Sequence, residues 1–271
     1  MRGDNTIKIG CCGWAEGQKN YYREFDIVEV QETFYQPGRI GKYETWRRAA
    51  PLEFEFAVKA WQLITHEPTS PTYRKLKPAI PRAKKNCYGS FRPTHEVFAA
   101  WDITDMIAQA LDARMVLFQS PSSFAPLPEN KRNLRTFFKT IDRRGYVLCW
   151  EPRGDWQDKD IKRICGDLDL VHCVDPFKSR PMHGSVYYFR LHGRPGYNLR
   201  YRYRKQDLQE LIGMIGRKQA YVLFNNLSML HDAKLFQRLV GSNDHGHRSQ
   251  EYIHYRPAGR RQDHAHQGAR S

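Results

Sequence analysis

The chain has 271 residues, 40 % of them hydrophobic and 13 % aromatic, a composition that excludes disorder as its main state. Forty-four Lys and Arg stand against 29 Asp and Glu, a net charge of +15, which favours anionic partners without specifying a fold. No apolar run approaches the roughly 20 residues that span a bilayer. The start, Met1 to Asn5, runs into Ile7 without an apolar signal core, so a cytoplasmic protein without membrane partners is expected.

Strand-length apolar runs occur at residues 7–14, 27–35, 54–61, 115–120, 146–151, 170–175, 186–192 and 220–225. Stretches of helical character fall between most of them, at 18–25, 40–49, 95–113, 130–143, 158–167 and 206–216, with a last one at 231–240. Strands alternating with helices require crossover connections and hence a parallel sheet. Eight such units in about 240 residues predict a single (β/α)8 barrel. An open doubly wound sheet is the alternative, but Gly10-Cys11-Cys12-Gly13 is not the glycine fingerprint such a sheet commonly carries. The link from Val174 to Val186 has no room for a full helix, so one unit is expected to be degenerate. The barrel domain is assigned to residues 1–240. The tail, 241–271, rich in His, Arg, Gln and Gly, is expected to be disordered, because it has too few apolar side chains to offset its ordering entropy.

The six cysteines contain no C-x-x-C pair, so neither a zinc ribbon nor a disulfide framework is expected. Cys11 and Cys12, adjacent on a strand, should point to opposite faces.

Residues two apart on a strand share a face, and in a barrel one face lines the interior. This parity puts Glu29, Gln31 and Thr33 inward in the second run, and Glu55, Lys59 and Trp61 in the third. It likewise points Gln119, Glu151, Arg153, Asp175, Arg190 and His192 inward, with Asn225 or Asn226 in the last run. Polar residues therefore gather at the C-terminal ends of the strands, where barrel enzymes place their chemistry. Taken singly, some have structural readings: Glu29 and Lys59 could form an ion pair, and Asn225-Asn226 could cap a loop. Two acid-free stretches follow strands. Residues 73–92 carry seven Lys or Arg, and residues 176–206 carry eight, both interleaved with Tyr and Phe. On the C-terminal face such loops would bind phosphates and stack on bases.

Several segments resemble the YecE-like family, catalogued as domain of unknown function 72: Gly10 to Trp14, Val28 to Tyr35, Phe56 to Trp61 with Thr65-His66, Gln119 to Phe124, Glu151-Pro152-Arg153, Arg190 to Gly193 and Phe224 to Asn226. The resemblance implies a TIM barrel akin to the endonuclease IV and xylose isomerase group, and a role directed at nucleic acid. Endonuclease IV-like sites gather His, Asp and Glu around several metal ions. Here the rim offers only His66 and His192 near Glu29, Glu151 and Asp175, enough for at most one divalent ion.

The expected function is binding of a phosphate-bearing substrate, DNA or RNA, at the C-terminal rim, with nuclease-like hydrolysis or other processing. Glu29, Lys59, Glu151, Arg153, Asp175 and His192 are the catalytic candidates. Trp14, Thr33, Tyr35, Trp61, His66, Gln119, Arg190 and Asn225 are the substrate-binding candidates. A small-molecule enzyme acting on a sugar or sugar phosphate, and a non-catalytic nucleic-acid-binding module, are the rival readings.

Overall fold

The computed structural model describes residues 7–253. Its strands are β1 (Ile7–Cys12), β2 (Ile27–Val30), β3 (Glu55–Lys59), β4 (Met115–Gln119), β5 (Val147–Glu151), β6 (Val171–His172), β7 (Tyr187–Leu191) and β8 (Ala220–Phe224). They lie in the order β6-β5-β4-β3-β2-β1-β8-β7, and every ladder is parallel. A parallel bridge from Val174 to Phe189 narrows the gap between β6 and β7. The result is a nearly closed eight-stranded barrel, as the alternation of elements predicts.

The helices are α1 (Gln18–Glu24), α2 (Glu32–Tyr35), α3 (Ile40–Ala49), α4 (Gln62–Thr65), α5 (His95–Ala110), α6 (Pro128–Thr140), α7 (Asp158–Leu168), α8 (Lys205–Ile215) and α9 (Met229–Ile253). Their ends follow local chemistry. Thr94 Oγ1 accepts from Val97 N at 3.3 Å to cap α5. Pro128 opens α6, where its missing N–H leaves no bond unmade. Each packed helix buries a stripe, such as Leu134, Phe137 and Phe138 on α6 and Ile161, Ile164, Cys165 and Leu168 on α7.

The core has two layers. Outward strand residues join the helices in one large cluster, while Cys12, Ile27, Ala57, Leu117, Cys149, Tyr188 and Leu223 fill the barrel interior. Cys11 belongs to the outer layer and Cys12 to the inner, as parity requires. All six cysteines are free. Burial pushes the Cys12, Cys149 and Cys173 thiols well above their usual range, which suits packing rather than nucleophilic chemistry.

Three local features matter. The second strand ends at Val30, because Gln31 turns into the helical region and residues Glu32–Tyr35 form α2; strand parity therefore does not extend to Thr33. The link after β6 is the degenerate unit, as expected: the chain runs back along β6 without a helix, with His172 N donating to His183 O. The last helix continues past Val240 to Ile253, so the boundary drawn at 240 falls inside α9. Extending a helix already nucleated costs far less than starting one, which accounts for a polar sequence following the packed turns. The rest of the expected disordered tail, residues 254–271, lies outside the described residues. Among the described residues no helix is long and apolar enough to cross a membrane.

Candidate functional site

At the C-terminal end of the barrel the inward positions form one ionic network centred on Arg190 of β7, which is 1 % exposed. Its Nε and Nη2 donate to Glu29 Oε2 and Oε1 at 3.0 and 2.8 Å, and its Nη1 donates to Glu151 Oε2 at 2.6 Å. Such planar two-point pairing suits guanidinium and carboxylate. Tyr188 OH also donates to Glu29 Oε2, at 2.8 Å, and Gln31 Nε2 donates to Oε1. Glu29 thus accepts four donors, the full capacity of a carboxylate. Burial pushes the Glu151 carboxyl up, but Arg190, then Arg153, His192 and Lys59, more than reverse this and hold it at about 2.

A second chain of contacts runs toward solvent. Arg153 Nη2 lies 3.3 Å from Glu151 Oε1 and 3.3 Å from His192 Nε2. His192 Nδ1 lies 3.4 Å from Asp175 Oδ2. That carboxylate is itself held by the backbone N–H groups of His192 and Phe177, at 2.9 and 3.1 Å. Burial lowers the pKa of His192 despite its contact with Asp175, so the ring is neutral at pH 7. Its Nδ1 faces Asp175 without a hydrogen bond, and its Nε2 meets the Arg153 guanidinium. Arg153 Nε is buried without a partner.

Lys59 differs from its neighbours. It is 6 % exposed, and among the described residues no carboxylate lies within ion-pairing distance of it. Its Nζ sits 4.2 Å from the centre of the Phe34 ring. The alternative reading of Lys59 as an ion-pair partner of Glu29 does not hold, because Arg190 occupies that carboxylate. Burial, reinforced by the charge of Arg190, lowers its pKa to about 8. His66 is buried nearby with Nδ1 2.8 Å from Thr65 Oγ1. Burial, then Lys59 and Arg153, pushes its pKa down to about 3.

The loop after β7 builds the outer wall. Arg194 Nη1 donates to Asp207 and Glu210 at 2.9 Å each, Tyr201 OH donates to Asp207 at 2.7 Å, and Tyr203 OH accepts from Gly193 N at 2.8 Å. These bonds fasten the loop to the start of α8. They present Tyr197, 40 % exposed, with the Arg153 guanidinium 4.5 Å and Lys178 Nζ 4.3 Å from its ring centre. The His192 ring meets it edge-on at 4.5 Å. Gly193 holds φ at +91°, and a Cβ there would meet Asn198 O at 1.9 Å. Gly193→Ala is therefore expected to cost roughly 1–3 kcal/mol and to displace Tyr197, checked by thermal melting together with intrinsic tyrosine fluorescence.

Of the sequence candidates, Glu29, Lys59, Glu151, Arg153, Asp175, Arg190 and His192 meet in this mouth. Gln119 is buried beside Glu151 in register, and His66 adjoins Lys59. Tyr35 lies at the edge with Lys75 Nζ 4.1 Å from its ring centre. Asn225 continues the inward face of β8 beyond Leu223, whereas Asn226 turns outward and ties Tyr201 O to Asp232, each at 2.7 Å. Three candidates are placed elsewhere. Trp14 packs edge-on against Tyr21, Tyr22 and Trp46 on the helix side. Thr33 is consumed in bonds to Val30 O and Lys59 O, at 2.9 and 2.7 Å, because α2 turns it back onto the strands. Trp61 starts α4 and packs against the outer core. Parity missed Tyr188, although it lies two residues before Arg190 on the same face. It also missed Phe34, which flanks Lys59, and Tyr197, whose signal was an aromatic residue in an acid-free loop just after Arg190 and His192.

The second basic stretch does not lie wholly at the mouth. Gly184 accepts from Lys218 Nζ at the start of β7, at the opposite end, Arg190 is internal, and Arg194 is neutralised by two carboxylates. Exposed cations do remain on both sides of the opening, among them Lys75 and Lys77 after α4, and Lys178, Arg200 and Arg202 around Tyr197. The residues do not suit the single divalent ion that the rim could at most have held. Among the described residues no group of three His, Cys, Asp or Glu could hold a metal, and the Arg190 guanidinium lies between the two carboxylates that would have to ligate it.

A family model described as "Protein of unknown function DUF72" matches residues 8–254. No curated protein matches the chain significantly. Among solved structures, a DUF72 family protein from Enterococcus faecalis V583 superposes with a TM-score of 0.64 at 17 % identity, over 87 % of this chain and 97 % of the other. A DUF72 family protein from Thermotoga maritima MSB8 gives 0.62 at 18 % identity, over 87 % and 99 %. A xylose isomerase domain containing protein from Salmonella typhimurium LT2 gives 0.53 at 12 % identity, over 88 % and 96 %. At these identities the likeness establishes the barrel fold.

Proposed function

The chain belongs to the DUF72 family, and from the mouth of its barrel we propose that it binds single-stranded nucleic acid through phosphate groups and hydrolyses a phosphate ester there. The observation that carries this reading is the Lys59 amine, which sits against the Phe34 ring with no carboxylate in ion-pairing distance among the described residues, beside Arg153, whose Nε is buried without a partner. Leaving such groups unsatisfied costs stability, and a phosphate is the ligand whose charge and acceptor oxygens would satisfy both. Tyr197 offers a stacking face at the same opening, and the exposed cations on either side would track a backbone.

Lys59 and Arg153 hold the phosphate oxygens and the charge that develops on them. As Arg153 turns from His192 Nε2 to the phosphate, water attacks phosphorus and the freed Nε2 takes its proton, with Asp175 beside the other ring nitrogen. The Lys59 ammonium, with its pKa near 8, supplies a proton to the leaving oxygen. Glu29 and Glu151 serve here as the anchors of Arg190 rather than as bases or metal ligands, since the first has no free lone pair and the second is held ionised at about 2.

Fluorescence anisotropy with a labelled oligothymidylate tests the reading. Arg153→Ala should weaken binding about tenfold, the equivalent of ~1.4 kcal/mol. It should also reduce the slope of log K against log salt by about 0.7, the value for one contact on a single strand. An affinity independent of salt would refute the proposal.

A further inference from the structure

Resting on that reading, we infer that the barrel mouth accepts the terminal phosphomonoester of a strand rather than an internal diester. Lys59 lies inside the barrel with its Nζ against the Phe34 ring, and its carboxylate neighbours Glu29 and Glu151 are engaged by Arg190. A group that reaches it must enter the mouth instead of lying across the rim.

An internal diester carries a nucleoside on each of two bridging oxygens, so both flanks of the strand would have to pass through the opening. A terminal phosphate has one flank and three free oxygens. The donors available to it are the Lys59 amine and the unpartnered Nε of Arg153. Its charge, about −1.5 to −2 at neutral pH, matches these two cations, whereas a diester supplies only one negative charge. Tyr197, held against Arg153 and His192, stands where the base next to that phosphate would stack. The rim cations Lys75, Lys77 and Lys178 then serve the outgoing strand. Terminal and internal phosphates are thereby separated by depth: the buried pair reads the end, and the exposed cations hold the rest.

The test uses the full chain and one short oligothymidylate in three forms: 5′-phosphorylated, 3′-phosphorylated, and with hydroxyls at both ends, each bound at low salt. One phosphorylated form should bind at least tenfold more tightly than the unphosphorylated strand. Inorganic phosphate should compete for that difference alone, and Lys59→Met and Arg153→Ala should each reduce the preference to near unity. Equal affinity for all three forms overturns the end-reading while leaving strand binding intact. No binding of any form overturns both. A preference that survives both substitutions places the end-reading somewhere other than the barrel mouth and overturns the assignment.

Discussion

Arg190→Met is expected to be the most damaging single substitution in this barrel. It removes the guanidinium that pairs Glu29 and Glu151 and leaves two buried carboxylates with only the neutral donors Tyr188 and Gln31 on the first and the 3.3 Å contact of Arg153 on the second. Breaking a buried ion pair from one side typically costs about 3–5 kcal/mol, a large share of the roughly 5–15 kcal/mol that holds a domain folded. In a chain of this size that should lower Tm by on the order of 10 °C. Adding Glu29→Gln and Glu151→Gln to Arg190→Met should restore part of the loss, because the stranded charges are then gone. A melting series of the single, double and triple variants would measure the coupling. The same network has an acid limit. Glu151 titrates at about 2 in the folded chain against an ordinary value of 4.5, so its stabilisation is complete above pH 4.5 and is lost as pH falls toward 2.

Lys59→Met should have the opposite sign. The folded-state pKa is lowered from 10.5 to about 8, so the folded chain binds fewer protons than the unfolded chain between those values. Stability from this residue therefore rises across pH 8 to 10.5. Below pH 8 the folded protein bears the cost of a buried ammonium, of order 3 kcal/mol at 1.36 kcal/mol per pKa unit. Removing the charge should raise Tm at pH 7 by several degrees, a gain that disappears above pH 10.5. A lysine serving the fold through an ion pair would give the reverse, a loss of stability on substitution. Functional groups held at a cost to stability are common at active sites. Denaturation of both proteins at pH 7 and pH 10.5 distinguishes the two roles. Anion binding should also weaken as pH rises through 8 in the wild type but not in Lys59→Arg, whose guanidinium stays charged.

Much of this site is legible in the sequence because a barrel strand has only two faces. Once Phe56 and Val58 are assigned to the helices, Ala57 and Lys59 must point inward, and the same logic places Glu29, Glu151, Arg190 and His192. Parity fails where the backbone leaves the strand. Val30 is the last extended residue of β2, so Thr33 turns back onto the strands and Phe34 comes to flank Lys59. Trp14 and Trp61 lie just past strand ends, where an aromatic residue finds more apolar contact against the helices than in the mouth. Pairing is harder to read than facing. Glu29 and Lys59 lie on adjacent strands and on the same face, Glu29 in register with Ala57 two residues before Lys59, yet the longer, forked side chain of Arg190 reaches Glu29 from the other side of the barrel and leaves Lys59 without a carboxylate. The basic loops are half legible. Charge counts find them, but which cations remain free depends on Asp207 and Glu210, which hold Arg194, and on Glu67, which pairs Arg92 at 2.6 Å, and the fold supplies their positions.

The barrel mouth as a phosphate site is tested most directly by the affinity of wild type and Lys59→Met for the same phosphorylated oligothymidylate, measured at two salt concentrations at pH 7. The expected result is at least tenfold weaker binding by Lys59→Met, with a shallower salt dependence, in a protein that melts at a higher temperature than wild type. Equal affinity in the two proteins, or a loss of binding that only follows a loss of fold, would contradict it.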